Sequence, residues 1–298
     1  MSAVAAEIVA KIRDLPPLPS VVVRMHELLT DANTTAREIE RLLASEPAIA
    51  SKVLCIANSA YYGVGQRVGT LSHAVMVLGF NTVRNVVFAS SLMRSLDACA
   101  AEGSYDPFRF WQHSIATGAA CKLLARRLQL PHQEEYFLVG LLHDLGKVVL
   151  AGWVPVEEAE RVRALTAEGE DEHAAERAVL GTDHAEVGAE LLARWRLPIF
   201  HVEAVRHHHT PALSKERRAS QVIHVADALT HALLLGVGER DSFPRLGEEA
   251  WAGVGPPPAE LPQFFRDVFG LLAQAETVLN PRSRRRRSRF TIRRPRRT

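Results

Sequence analysis

The sequence predicts an all-α protein, and three observations predict it. Ala, Leu, Val, Glu and Arg dominate a chain of 298 residues that is 47% hydrophobic and only 6% aromatic, a mix that favours helices over sandwiches and barrels. Apolar residues recur at helical spacing in one segment after another. No stretch alternates with period two for long enough to demand a sheet, and no internal repeat is evident.

Taken in order, residues 1–14 read as a short amphipathic helix, because Glu7, Lys11, Arg13 and Asp14 interrupt its apolar pattern; a secretory signal would not carry them. Leu15-Pro16-Pro17-Leu18-Pro19 ends that helix, since proline cannot continue one. Residues 15–105 form a subdomain of short helices. Thr35 and Glu38 make a capping box ahead of Ile39, Leu42 and Leu43. Pro47 suits a first helical turn, and Ile49, Val53, Ile56 and Ala57 share one side of the helix it opens. Asn58 to Gly63 is a turn-rich stop. Helical spacing resumes over Ala74–Leu78 and Val83–Leu96, with Gly79 as the break.

A second subdomain, 106–236, has longer helices. Residues 108–129 run amphipathically through His113, Ala116, Ala120, Leu123 and Leu124. Residues 134–151 are apolar nearly all round and predict a single central, buried helix. Residues 157–168 and 172–180 are more polar and outer. Thr182 or Asp183 caps a helix through Trp195, closed off by Pro198. Two further helices span 199–208 and 218–235. Residues 237–259 read as a long Gly/Pro-rich loop, and residues 260–279 as a last amphipathic helix, so that 237–281 is loop plus helix.

Cys55, Cys99 and Cys121 are far apart and form no CxxC pair, which argues against a zinc ribbon or a disulfide framework and for a reducing compartment. No apolar run approaches the roughly 18 residues that span a bilayer, so no transmembrane segment and a cytoplasmic location are expected. Residues 282–298 hold ten arginines and no acid; removing these leaves 26 Lys+Arg against 34 Asp+Glu, so a body near −8 carries a strongly basic tail. Such a tail is expected to be disordered. Electrostatics would draw it to nucleic acid or anionic lipid, or to the acidic body of its own chain.

Of 13 histidines, eleven lie after residue 110. His143-Asp144 falls in the most apolar predicted helix, where an unpaired carboxylate is costly to bury and needs a cation, a metal or strong donors. Gly140 and Gly146 flank the pair, and each implies close backbone approach. Lys147 shares the face of His143 and can place an ammonium against a phosphate oxygen. His113 lies on the apolar side of its helix, His184 begins another, His207-His208-His209 ends a third, and Asp227 edges the apolar stripe of a fourth. Singly, each has a bland role: a hydrogen-bonded core histidine, an N-terminal polar group, a dipole complement, a surface acid. Jointly they supply mixed nitrogen and oxygen ligands suited to one or two divalent ions, Fe, Mn, Zn or Mg, and two such ions can activate a water and clamp a phosphoester.

With these segments in hand, the chain resembles the HD superfamily of metal-dependent phosphohydrolases, and more closely the HDOD (HD-related output domain) family of bacterial signalling proteins. The resemblance rests on Leu15-Pro-Pro-Leu-Pro19, Glu46-Pro47 with Val53-Leu-Cys-Ile-Ala-Asn-Ser59, Ser72-His-Ala-Val-Met-Val-Leu-Gly79, Leu142-His-Asp-Leu-Gly146, Trp195-Arg-Leu-Pro198, Ala204-Val205, His208-His209-Thr-Pro211 and Ala226-Asp227. It covers roughly residues 15–235. It implies an N-terminal bundle of short helices packed on an HD-type bundle. It also implies His113, His143, Asp144, His184, His208, His209 and Asp227 as metal ligands, with Asp144 and Lys147 as the catalytic pair of any hydrolase. Lys147 matches the phosphate-facing lysine of the superfamily's cyclic-dinucleotide phosphodiesterases. Those enzymes follow the paired histidines with Asp-Gly-x-Gly-Tyr-Pro, whereas Thr-Pro-Ala-Leu stands here. The resemblance therefore implies a regulatory signalling module with a protein partner. The alternatives are a metal-dependent phosphohydrolase acting on a nucleotide or cyclic dinucleotide, and a nucleic-acid scaffold built on the tail.

Overall fold

In the computed structural model, residues 3–11, 19–31, 33–59, 67–97, 106–233 and 244–279 are described. Among them every regular element is helical, as the composition predicts. The expected ends at 15–18 and 60–63, and the arginine tail, lie outside the described residues.

Helix α1 (Ala3–Lys11) packs on α12 (His184–Arg194). The N-terminal set is α2 (Ser20–Thr30), α3 (Ala36–Ala44), α4 (Pro47–Ala57), α5 (Leu71–Leu78) and α6 (Phe80–Asp97). Local chemistry explains their bounds. Thr35 and Glu38 close a full capping box on α3, and Pro47 occupies the first turn of α4. Asn58 caps α4 and ties it to Val68, accepting from Val68 N at 2.8 Å and donating to Val68 O at 2.9 Å. Gly79, at φ 77°, takes the left-handed bend between α5 and α6, whose axes turn by 109°.

The second set is α7 (Pro107–Arg127), α8 (Gln133–Leu142), α9 (Leu145–Trp153), α10 (Val156–Ala167), α11 (Glu172–Leu180), α12, α13 (Ile199–Arg206) and α14 (Arg217–Ala232). Asp183, rather than Thr182, caps α12 by accepting from Glu186 N at 2.8 Å. Helices α7 and α8 are the most closely packed pair, with α14 laid against α7. Helix α16 (Leu261–Leu279) packs on both α7 and α4, so it spans the two sets. One apolar cluster runs without interruption from Ile8 through Met25, Leu92, Phe110, Leu141 and Leu192 to Val268.

Three expectations change. The central helix over 134–151 is two helices, α8 and α9, and His143 and Asp144 form the turn between them. The break lets both side chains face one centre, which adjacent residues about 100° apart on a continuous helix do poorly. The loop over 237–259 contains a helix, α15 (Glu248–Val254), held by the packing of Ala250 and Val254 against the core. Finally, residues 133–153 together are long and apolar enough to cross a bilayer, but 72% of the relevant window is buried inside the protein; this is the apolar all-round character of a core segment.

Gly140 and Gly146 have the close-approach reason their positions suggest. A Cβ on Gly140 would lie 2.8 Å from Gly118 Cα, so α7 and α8 cross nearly backbone to backbone. A Cβ on Gly146 would lie 1.9 Å from His184 O, so α9 meets the start of α12 with no side chain between them. Polar links also cross between the helical sets. Arg84 Nη2 on α6 pairs with Glu135 Oε1 on α8 at 2.6 Å and Asn85 Nδ2 donates to Glu134 O at 2.9 Å; within the second set, His201 Nε2 lies 2.8 Å from Glu135 Oε2.

Stability measurements can check both kinds of contact. Gly146→Ala should cost about 3 kcal/mol by forcing apart two backbones that cannot yield, read as a lower urea midpoint with far-UV circular dichroism unchanged in native buffer. Burial would raise the Glu135 carboxyl, but His201 and Arg84 outweigh it and bring it from 4.5 to about 2. A depressed carboxyl contributes stability above its unfolded value and loses it as pH falls through the folded one. The gap in unfolding free energy between wild type and Glu135→Gln should therefore be full above pH 4.5 and close as pH falls towards 2.

Candidate metal centre

Five structural positions converge on one buried volume. Helix α7 contributes His113, the α8–α9 turn His143 and Asp144, the start of α12 His184, the turn after α13 His208 and His209, and α14 Asp227. His113, His143, His184 and His208 are fully buried, with Asp144 and Asp227 at 2% and 4% exposure. The bland reading of Asp227 as a surface acid thus does not hold, and His184, though it begins α12 as a polar N-terminal residue, is turned inward. His207 points elsewhere, its Nε2 4.0 Å from Glu203.

The distances divide this volume in two around Asp144. Its Oδ2 faces His143 Nε2 at 3.3 Å and His113 Nε2 at 3.6 Å. Its Oδ1 faces His184 Nε2 at 3.4 Å and His208 Nε2 at 4.0 Å. On the first side, Asp227 Oδ1 lies 3.1 Å from His113 Nε2 and 3.6 Å from His143 Nε2. On the second, His209 Nε2 lies 2.8 Å from His184 Nε2. Three sets, His113/His143/Asp144 and His113/Asp227/His231, which share His113, and the separate His184/His208/His209, each have their ligand atoms within 4.8 Å of one another.

Supporting contacts fix which ring nitrogen looks inward. His143 Nδ1 donates to Gly140 O at 2.8 Å and His208 Nδ1 to Val205 O at 2.7 Å. A carbonyl can only accept, so these nitrogens carry the proton and each Nε2 turns to the centre. His184 Nδ1 and the His184 backbone N–H both donate to Glu176 Oε2, at 2.6 and 2.8 Å, a carboxylate–histidine pair of the kind that orients metal-ligating imidazoles. His224 Nδ1 in turn donates to His208 O at 2.8 Å.

The charges of the cage are strongly coupled. Burial opposes ionisation of Asp144 and Asp227, yet both carboxyls are held well below the usual range, Asp144 by His143 and Lys147, Asp227 by His231, His113 and His143. Burial likewise opposes a charge on His143, but the adjoining Asp144 and Asp227 bring it up to about 10. His184 rises to about 9 against burial, through Glu176. His208 goes the other way: burial and the charges of His143 and His184 take it down to about 3. Asp144 Oδ2, Asp227 Oδ1 and His208 Nε2 are buried without a well-formed hydrogen bond; neighbours reach the two carboxylate oxygens at ion-pair distance but off the directions a hydrogen bond requires. Buried acceptors left in this state fit a divalent cation, which needs no such direction. The donor set mixes imidazole nitrogen with carboxylate oxygen.

Lys147 Nζ sits between Asp144 Oδ2 at 3.0 Å and Glu172 Oε2 at 2.8 Å. It stands at the mouth of a cavity of about 200 Å³, lined also by His173, His209, His231 and Arg245. Four groups escaped the sequence reasoning. His231 lies 3.4 Å from Asp227 Oδ1, and its position four residues after Asp227 was the available signal. His173, stacked on His209 at 4.3 Å, Glu172 and Glu176 are brought in by α11 and had no local signal.

A helical scaffold holding a buried His/Asp cage at a helix–helix turn defines an HD-type protein. The HDOD domain model matches residues 15–211, and the chain belongs to the HDOD family. A protein of uncharacterised function from Treponema pallidum (strain Nichols) is 28% identical over 245 residues, covering 81% of this chain and 47% of its own length, so the chain spans about half of that relative. An HDOD domain protein of unknown function from Geobacter sulfurreducens superposes with a TM-score of 0.77 at 22% identity, covering 92% and 97% of the two chains. A candidate signal-transduction protein from Marinobacter aquaeolei VT8 does so with a TM-score of 0.69 at 25% identity, covering 89% of this chain and 60% of that one.

The charge balance makes a direct prediction for metal-stripped protein. Asp144→Ala would leave the His143 imidazolium and the Lys147 ammonium buried together, and should cost about 3–5 kcal/mol. Urea unfolding in chelator checks this.

Proposed function

We propose that the chain is a regulatory signalling module whose second helical set holds one or two divalent ions, in the cytoplasm, and relays its state to a protein partner. The observation that carries the reading is the convergence of buried imidazole nitrogens and carboxylate oxygens into compact sets around Asp144, with His208 Nε2 left without a hydrogen-bond partner and the inward nitrogens of His143 and His208 already selected. His113, His143, Asp144 and Asp227 would hold one ion, and His184, His208 and His209 a second, with Asp144 between them. A bound ion would supply positive charge that the protonated His143 and His184 otherwise provide, so loading releases protons.

Two features support regulation rather than turnover. Lys147, the cation that would meet a substrate phosphate, is spent on Asp144 and Glu172. The mouth beside it, about 200 Å³, is small against the roughly 300–1,000 Å³ of typical ligand pockets. The second reading, a phosphohydrolase acting on a nucleotide or cyclic dinucleotide, is favoured by Lys147 and Arg245 lining one cavity with the cage. In that reading Lys147, freed from Glu172, would orient the phosphoryl group, and the residues of the cage would hold an ion that supplies Lewis acidity towards the phosphoester.

Metal analysis of purified protein, a thermal shift with added manganese, and an assay with bis(p-nitrophenyl) phosphate separate the two. The regulatory reading expects retained metal and a rise in Tm, equivalent to about 2.7 kcal/mol at a hundredfold excess over Kd. It expects that rise to vanish in Asp144→Ala, and no turnover. Turnover abolished in Asp144→Ala establishes the hydrolase; absence of both metal and thermal shift overturns the metal-binding claim.

A further inference from the structure

A second cavity, of about 610 Å³, opens between the two helical sets, away from the His/Asp cage. Its inner wall is apolar: Val22 from α2, Phe88 from α6, Leu138 from α8 and Leu191 from α12 are all buried, with Trp195 beside them. Its rim is polar, with the guanidinium groups of Arg194 and Arg196 and with His26. Glu27 also lies on the rim, engaged in a contact of its own. Arg194 spends Nη1 on Val9 O at 2.7 Å. Among the described residues no carboxylate pairs with Arg194 or Arg196, whereas Arg84, deeper in the wall, is paired with Glu135.

Two independent observations mark this as a site rather than a packing gap. The first is buried polar capacity in the wall. His201 is only 2% exposed; its Nε2 meets Glu135 at 2.8 Å, but its Nδ1 has no partner, and Arg84 Nε is buried in the same state. Native interiors satisfy nearly all such atoms. The second is backbone strain at the rim. Arg196 has φ 59°, at the end of α12 where Arg196 N bonds Ala193 O at 2.9 Å and Leu197 N bonds Leu192 O at 3.0 Å. This is the left-handed helix-ending position that glycine fills without strain. Strained non-glycine residues concentrate where the side chain is used.

We infer that this inter-set cavity binds an anionic amphiphile, its apolar body on Phe88, Leu138, Leu191 and Trp195 and its carboxylate or phosphate headgroup on Arg194 and Arg196. The volume lies within the range of small-molecule sites, and an apolar pocket with a few convergent polar groups is their usual form. Guanidinium groups match the oxygens of either headgroup. The ligand would touch α2 and α6 on one side and α8 and α12 on the other, so its occupancy would bias how the two sets sit together. The inference does not depend on the metal reading, since none of the cage residues lines this cavity.

The test titrates the full chain with decanoate, decyl phosphate and decyltrimethylammonium below their micellar concentrations, by calorimetry and tryptophan fluorescence. One or both anions should saturate at one per chain and the cation should not; the tighter anion identifies the headgroup. Arg196→Gly should weaken anion binding about tenfold through loss of a charge-assisted contact while raising the thermal midpoint through relief of the left-handed strain. Val23→Trp, at a wall position that is 40% exposed, should fill the opening and abolish binding without disturbing the core. Equal binding of the cation, no saturable binding of either anion, or full affinity in Arg196→Gly or Val23→Trp overturns the proposal.

Discussion

The structure depends on where it places one carboxylate. Asp144 is buried, ionised, and shared between two groups of imidazoles, one oxygen facing each. Isolated burial of such a group is prohibitive, so everything nearby is arranged to answer its charge. The helix breaks to free its side chain, Lys147 and protonated imidazoles supply cations, and carbonyls at Gly140 and Val205 orient the rings. The glycines beside it answer the same need. Helices that must bring charged groups this close cannot be spaced by side chains, and Gly146 lets α9 reach His184.

Much of this was legible in the sequence. Helix positions came from apolar spacing and from caps at Thr35, Pro47 and Asp183, because these signals are local. His143 and Asp144 stood out because a charge in an apolar segment is conspicuous, while His113, His184, His208, His209 and Asp227 joined them as a ligand set only through the family resemblance. Other features were not legible, for physical reasons. Whether His143-Asp144 sits within a helix or at a break depends on tertiary pull towards the cage, which periodicity does not record. Helix α15 forms in a Gly/Pro-rich stretch because its Ala250 and Val254 find the core, a contact with no sequence signature. Glu172, Glu176 and His173 enter through the placement of α11, and nothing in their own neighbourhood distinguishes them from the solvated face of an outer helix.

The family membership and the geometry speak to different levels. The HDOD match and the structural likenesses give the scaffold. What the scaffold does is a property of particular side chains, and here those chains show a tension. The cage has the makings of a metal site, while the lysine best placed to serve a phosphate is engaged by Glu172. That engagement separates holding an ion from using it.

The contact between Gly146 and the His184 carbonyl has a mechanical consequence. Where two helices meet through side chains, rotamer changes absorb small displacements; here bare backbone abuts bare backbone, and there is nothing to compress. Helix α12 therefore has its start seated directly against α9 beside the cage, and its other end leads into Trp195 and Arg196.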